Sequence, residues 1–250
     1  MFVWLAVGAA LADEPGFDAS FARFGRVLAG AVDDRGQVDY GVIAARRAEL
    51  DGFLVDVAAA PVATLSRAEK TALWLNAYNA ITLRVILDGG VPRSIQDLDG
   101  GKVWTTRRFT VGGETLTLDA IENQRLRPLG DPRFHAALVC AAKGCPPLSP
   151  RPFAASDLDA ALDAAARRWV ATTAYSADRA AGTVALSMIF DWYGEDFVAG
   201  RKGDLTKVDG DAEAALWFLS RYAPVEDAAW LVSGRVATTW KVYDWSLNRR

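Results

Sequence analysis

The residues best suited to chemistry lie in one short segment of the chain. A single histidine, His135, is followed closely by the only two cysteines, Cys140 and Cys145. An imidazole beside a thiol favours the thiolate, which is the nucleophilic form of cysteine. Histidine also exchanges protons near neutral pH, so any histidine acid–base step has one candidate here. Thiol chemistry with His135 as the general base is therefore one interpretation of this pattern.

The same three residues have structural interpretations as well. In an oxidising compartment Cys140 and Cys145 would close a small disulfide loop, which stabilises the fold by only about 2 kcal/mol through chain entropy. A zinc site is disfavoured because the spacing matches no standard zinc motif. A lone histidine beside apolar residues is often a hydrogen-bonded structural group. We expect no metal and no cofactor, and both the catalytic and the structural interpretation of His135 stay open.

The expected local geometry decides which cysteine is the better partner for His135. Residues 134–140 are predicted to form a buried strand, and the period of two along a strand places His135 and Cys140 on opposite faces. Cys145 follows a turn at Lys143-Gly144 that allows it to return to the face of His135. The pattern therefore favours a Cys145–His135 pair slightly over a Cys140–His135 pair.

Glu122 has two interpretations. The spacing from Asp119 to Glu122 is that of a capping box with Asp in place of Ser, and this role by itself explains the carboxylate. Glu122 is alternatively the group that orients His135, as the third member of a catalytic triad does. The cap is the simpler interpretation.

Two asparagines occupy an unusual position inside an apolar helix. Asn76 and Asn79 lie three residues apart, on one helical face, although asparagine is a poor residue for a helix interior. A buried amide without partners costs roughly 1–3 kcal/mol, so each must be hydrogen-bonded. They are predicted either to tie a neighbouring loop to the helix or to line a polar pocket.

Periodicity and turn signals divide the chain into short elements. The strongest is a helix that begins at the capping box Ser66–Glu69, is apolar on nearly every side and ends at Gly89-Gly90, so it should be central and buried. The pair Gly112-Gly113 joins strands 107–111 and 114–118 in a predicted β-hairpin. Without a regular βαβ rhythm, the mixture predicts an α+β fold with a mostly antiparallel sheet flanked by helices. Further helices are predicted at 17–28, 44–57, 119–126, 156–171 and 211–222, and further strands at 183–187 and 235–245.

Composition limits the class of protein. The chain has 250 residues, 51% apolar and 24% charged, which suits one globular domain with a sizeable core. The net charge of −3, with no run of basic residues, excludes the electrostatic footprint of a nucleic-acid-binding protein. A small molecule or a peptide remains the expected partner.

The first twelve residues, MFVWLAVGAALA, resemble a secretory signal peptide. An uncharged apolar run is followed by Ala10-Leu11-Ala12, which fits the small-residue rule for cleavage before Asp13. The run is shorter than the about 20 residues that span a bilayer, so no stable membrane span is expected. We therefore predict a single domain over residues 13–250, located in the periplasm or outside the cell. The alternative is a buried N-terminal strand or helix of the mature fold.

Six short motifs occur along the chain, in the segments 73–80, 116–122, 131–140, 144–148, 191–197 and 243–248. In order and spacing they resemble the domain-of-unknown-function family 547, over about residues 36–248. The resemblance implies a family without a settled activity that is widespread in bacteria and often exported. The family's histidine is expected to be followed by an aromatic residue, whereas this chain has Ala136.

The resemblance also implies a shared site. Its signature segments are Asn-Ala-Tyr-Asn, Ile-Glu, Arg-x-His and Cys-Pro, which makes Asn76, Asn79, Glu122, His135 and both cysteines the candidates. Plant members of the family work inside cells, so the resemblance implies that a disulfide is not obligatory, and this favours thiol chemistry.

These observations lead to one principal functional hypothesis, a cysteine-dependent hydrolase or acyl/amide transferase with a papain-like mechanism. The candidate residues converge on one pocket, where they take the roles of nucleophile (Cys145 or Cys140), base (His135), orienter of the base (Glu122) and holders of substrate or oxyanion (Asn76 and Asn79). One alternative is an exported binding domain for a small molecule or peptide, with a structural Cys140–Cys145 disulfide. Another is a structural or interaction domain.

Overall fold

A long buried helix, α4 (Arg67–Asp88), organises the computed structural model, which describes residues 17–200 and 210–250. The predicted capping box is present: the Ser66 hydroxyl accepts from the Glu69 backbone N–H, and the Glu69 carboxylate accepts from the Ser66 backbone N–H. All residues from Thr71 to Leu83 are buried. This confirms the prediction of a central helix, because an apolar surface on every side must be covered by other elements.

Three helices precede α4: α1 (Ala22–Leu28), α2 (Tyr40–Ala45) and α3 (Arg47–Ala58). The sequence predicted one helix over 44–57, but the chain turns at Arg46, whose backbone dihedrals are non-helical (φ −104°, ψ 21°). The Asp39 carboxylate caps α2 by accepting from two backbone N–H groups. That cap starts a helix four residues earlier than apolar periodicity indicated.

The predicted hairpin consists of β1 (Phe109–Val111) and β2 (Glu114–Leu116), which pair antiparallel. Gly112 and Gly113 both have positive φ, 58° and 79°, which is the requirement of a primed two-residue turn. Their backbone N–H groups donate to carbonyl groups at the end of α3, so the turn is docked onto the helical layer.

A second sheet is formed by β3 (Tyr175–Asp178), β4 (Thr183–Leu186) and β5 (Ala237–Trp240). β4 is central, pairing antiparallel with β3 and parallel with β5. β5 is shorter at both ends than the strand predicted over 235–245, although the Lys241 backbone N–H still donates to the Leu186 carbonyl of β4. The α+β fold class with mostly antiparallel pairing is confirmed, and both sheets are small.

The remaining helices surround this second sheet and the site. α7 begins at Leu158 with Asp157 as its N-cap residue, two residues after the start of the helix predicted over 156–171, because a 3₁₀ turn occupies Ala155–Asp157. None of the helices in the described ranges is long and apolar enough to cross a membrane. The predicted signal segment and its cleavage site lie outside the described residues.

The helices that follow α4 and surround the second sheet and the site are α5 (Val103–Thr106), α6 (Leu118–Ile121), α7 (Leu158–Val170), α8 (Met188–Trp192), α9 (Gly194–Gly200), α10 (Asp211–Tyr222) and α11 (Val225–Leu231).

Residues 134–140 do not form the predicted strand. A 3₁₀ helix covers Pro132–Ala136, started by the Asp131 side chain, which accepts from the Arg133 backbone N–H. The following residues are irregular, and their backbone groups bond to the side chain of Asn79 rather than to a neighbouring strand. The strand prediction failed because an apolar run has no intrinsic preference between a strand and a buried loop. The argument that placed His135 and Cys140 on opposite faces therefore does not apply.

Candidate functional site

A cavity of about 280 Å³ brings together residues from distant parts of the chain. Glu122, His135, Cys140 and Cys145 all line it, so these four candidates share one pocket. Asn76 and Asn79 do not. The described residues that line it are Tyr78, Trp104, Asp119, Glu122, His135, Leu138, Cys140, Cys145, Ile189, Trp192, Tyr193, Tyr243 and Trp245.

The imidazole of His135 is held in a fixed orientation. Its Nε2 lies 2.8 Å from Oδ2 of Asp196, at the start of α9. The ring packs against Tyr193 and Phe197, with centroid separations of 4.5 and 5.3 Å, and the side chain is almost fully buried. Because an ionised carboxylate only accepts hydrogen bonds, this contact places a ring proton on Nε2. In the neutral imidazole Nδ1 is then the nitrogen that can accept a proton. Asp196, rather than Glu122, is thus the carboxylate that orients His135.

Asp196 is itself kept ionised by a second partner. The Arg127 guanidinium donates from Nε and Nη2 to the two carboxylate oxygens, at 2.8 and 3.2 Å. Burial raises the pKa of Asp196, but the hydrogen bonds from His135 and Arg127 outweigh it and leave the pKa below its ordinary value. Arg127 also lies over the Tyr193 ring, 5.6 Å from its centroid. The order His135–Asp196–Arg127 gives the imidazole a permanently anionic neighbour.

Glu122 lies on the floor of the cavity, and its pKa is shifted in the opposite direction to that of Asp196. Burial raises its pKa above the ordinary value of 4.5, and the influence of His135 and the hydrogen bonds from Tyr193 and Tyr78 only partly offset this. The capping interpretation is wrong, because Thr117 caps α6 by accepting from the Ala120 backbone N–H. A π-helical turn, Glu122–Leu126, follows α6, and such turns often occur at functional sites. Glu122 is therefore a buried carboxyl group that holds its proton more tightly than a free glutamate does.

Cys140 and Cys145 are joined by a disulfide bond. The sequence left this bridged form open as the structural alternative to a free thiol. Cys145 Sγ accepts from the Cys140 backbone N–H at 3.1 Å and from the Tyr243 hydroxyl at 3.2 Å, and the same hydroxyl lies 3.4 Å from Cys140 Sγ. Cys145 is buried, whereas Cys140 is partly exposed. Between them Ala141 has a left-handed backbone (φ 62°), a strained conformation for a residue with a side chain.

The two asparagines tie loops to the central helix. The Asn76 amide donates to the Phe153 carbonyl at 2.7 Å and accepts from the Phe153 N–H at 2.9 Å. The Asn79 amide donates to the Ala137 carbonyl at 2.9 Å and accepts from the Val139 N–H at 3.0 Å. Their buried, hydrogen-bonded state matches the first of the two roles considered for them. The expectation that they converge on the pocket is corrected, because every polar group of each amide is directed at backbone.

Sequence reasoning missed Asp196 and the aromatic residues of the cavity. Asp196 belongs to the motif 191–197, but sixty-one residues separate it from His135, and nothing in that spacing reveals the pairing. The aromatic residues had one available signal, the concentration of Trp and Tyr in the last two motifs, at 192–193 and 243–245.

Residues 62–170 match the family model described as "Protein of unknown function, DUF547". The match confirms the resemblance over that segment, which includes both asparagines, Glu122, His135 and both cysteines. Asp196 and Tyr243 lie beyond it. No curated protein and no solved structure matches the chain.

Proposed function

We propose that the protein is a cysteine-dependent hydrolase or acyl/amide transferase, with Cys145 as the nucleophile, His135 as the base and Asp196 as the orienter of the base. The observation that carries the proposal is the buried His135–Asp196 pair, whose imidazole lines the same cavity as both sulfurs. A histidine oriented by a carboxylate, in the same cavity as a cysteine sulfur, supplies the components that activate a nucleophile in acyl transfer.

The bridged sulfurs require a reductive step before catalysis. An external thiolate attacks Sγ of Cys140, the more accessible sulfur, and the S–S bond breaks with Cys145 Sγ leaving as a thiolate. A second thiol then displaces Cys140, so two external thiols are oxidised to a disulfide while both cysteines are reduced. The donors from Cys140 N–H and Tyr243 O–H remain available to stabilise negative charge on Cys145.

In the reduced protein His135 is the proton acceptor. Its Nδ1 takes the thiol proton, and the resulting imidazolium is stabilised by the Asp196 carboxylate at Nε2. The Cys145 thiolate adds to an acyl carbon, the imidazolium returns the proton to the departing amine or alcohol, and water or an acceptor then releases the acyl group. Glu122, with its raised pKa, supplies a hydrogen-bond donor to the developing oxyanion when it is protonated.

A second candidate is favoured by the disulfide itself. If the bridge persists in the native compartment, the cavity serves a binding domain for a small molecule or peptide without turnover. Export through residues 1–12 is part of both proposals, because an oxidising compartment explains the bridge and a reducing partner there would open it.

Alkylation of the reduced protein by iodoacetamide tests the thiol proposal. At pH 6 an activated Cys145 should react about tenfold faster than a free thiol of pKa about 8.5, after allowing for the lower nucleophilicity of an acidic thiolate. Asp196→Asn should remove most of this acceleration, since the imidazolium loses its anion. Peptide mass spectrometry assigns the modified cysteine.

A matched control separates activation from a general loss of an ion pair. Asp163 accepts from Arg133 at 2.8 Å, outside the lining of this cavity, so Asp163→Asn removes a comparable pairing without touching His135. Its alkylation rate should equal that of the unaltered protein. A reduced protein whose cysteines react no faster than a free thiol, or in which both Asp variants slow the reaction equally, contradicts the hydrolase proposal and favours the binding domain.

A further inference from the structure

The opening of the cavity is lined by aromatic rings that contact one another. We call Trp104, Trp192, Tyr243 and Trp245 the aromatic mouth. Trp192 lies 4.9 Å from Tyr243 and 5.8 Å from Trp245 between ring centroids, and Trp104 lies 5.9 Å from Trp245. Trp192 is 44% exposed, although large aromatic side chains are usually covered. The rings come from α5, α8 and the segment after β5, so the tertiary fold assembles this surface.

The charges beside the aromatic mouth are acidic. Asp119 is exposed and lines the cavity, so it supplies negative charge there, whereas Glu122 on the floor is a buried carboxyl group with a raised pKa. Among the described residues that line the cavity there is no lysine or arginine. The charge of Arg127, which lies over the Tyr193 ring, is paired with Asp196. A ligand in the cavity therefore meets acidic side chains and π faces among the described residues that line it, whereas Lys143 and Lys241 belong to a smaller neighbouring pocket on another side of Tyr243.

This combination favours one ligand chemistry. The face of an indole attracts an ammonium or guanidinium group, and tryptophan does so most strongly of the aromatic residues. A nearby carboxylate adds to that attraction and repels anions. A sugar ring also stacks on tryptophan, but it needs several free polar partners. On the floor of this cavity His135 is engaged by Asp196, and Glu122 by two tyrosine hydroxyls.

We propose that the cavity binds a cationic group, an ammonium or a guanidinium, at the aromatic mouth. Cation binding follows from the mouth and Asp119 alone. If the proposed function is correct, the substrate is an acyl compound with this cation next to its scissile bond, because the mouth and the Cys145–His135 floor belong to one cavity. The cation then anchors the substrate while the acyl carbon faces the sulfur.

Choline and its neutral isostere 3,3-dimethylbutan-1-ol form a probe pair that differs essentially in charge. Both are titrated into the bridged protein without reductant, with binding followed by tryptophan fluorescence and calorimetry. Choline should bind about fivefold or more tightly than the isostere. Trp192→Leu and Asp119→Asn should each reduce this preference, and Trp192→Phe, which keeps an aromatic ring, should retain part of it.

Trp240→Leu is the matched control, because Trp240 is similarly exposed at 39% and lies on β5 outside the cavity lining. It should leave the preference for choline unchanged. Equal affinities for choline and the isostere, tighter binding of methyl glucoside, or an unchanged preference in both Trp192→Leu and Asp119→Asn would overturn the proposal. The choline titration uses the bridged protein, which has no thiol, so it tests cation binding independently of the hydrolase proposal. Preference for choline without fast alkylation of the reduced protein would reject the hydrolase proposal and keep the cation site. Fast alkylation without a preference for choline would reject the cation site and keep the hydrolase proposal.

Discussion

Replacing Asn79 with alanine should affect both the stability of the protein and the geometry of its site. The amide of Asn79 bonds to both Ala137 and Val139, the backbone between His135 and Cys140. The substitution removes both bonds and leaves a carbonyl and an N–H without their partners in a buried loop. That loop sets the separation of the imidazole from the sulfurs.

The expected magnitude follows from the two groups left unpaired. Each buried backbone group without a partner costs about 1–3 kcal/mol, so the two groups together should cost about 2–6 kcal/mol of unfolding free energy, less whatever water recovers. A loss of this size is a large part of the about 5–15 kcal/mol that stabilises a typical domain.

Asn76→Ala provides a matched control because Asn76 makes the same pair of bonds to the backbone of Phe153. The two variants should lose similar stability in urea unfolding followed by circular dichroism. Only Asn79→Ala should also slow alkylation of the reduced protein by iodoacetamide, measured without denaturant where both variants are folded.

Two results would refute this reasoning. A stability change within about 0.5 kcal/mol for Asn79→Ala would mean that the amide behaves as an exposed surface group. Equal alkylation rates in the two variants, with the expected stability losses, would mean that the Ala137–Val139 backbone does not control the site.

Three further predictions concern the floor of the cavity and the N-terminus. Burial raises the pKa of Glu122, so its protonated form favours folding. The wild type should therefore lose stability relative to Glu122→Gln as the pH rises from below 4.5 through the raised pKa. If the difference in unfolding free energy between the two proteins, measured in urea, is the same at pH 4 and pH 8, this prediction is wrong. Tyr243→Phe removes one of the donors to Cys145 Sγ and should raise the thiol pKa by about 1–2 units in the reduced protein, read from the pH dependence of alkylation; superimposable profiles would exclude that role. Mass spectrometry of protein from the native host should find Asp13 at the N-terminus, and an intact Met1 in the soluble cytosol would reject export.

The secondary-structure elements whose bounds depend on residues nearby in the chain were predictable from the sequence. The helix from Arg67 to Asp88 follows from the Ser66–Glu69 capping box and the glycines after it, and the hairpin follows from Gly112-Gly113. The helix over Asp211–Tyr222 has the bounds that its apolar pattern predicts. Capping, turn geometry and periodicity act over a few residues, so the chemical information for them is local.

Part of the site was predictable in the same way. One histidine and two cysteines within a short segment identified the region of the cavity, and the chemical rarity of these residues was enough for that. The burial of Asn76 and Asn79 also followed from the apolar helix around them. Their partners did not, because an amide bonds equally well to a loop or to a ligand.

Only the tertiary structure decided which carboxylate serves His135 and how residues 134–140 run. Asp119 and Glu122 have the spacing of a cap, yet Thr117 takes that role and leaves Glu122 buried in the cavity. Asp196 reaches His135 from a distant helix, and Asn79 supplies the bonds that a strand partner would have made. Such pairings depend on how helices pack, and they leave no periodic pattern in the sequence because the partners are brought together by burial rather than by chain connectivity.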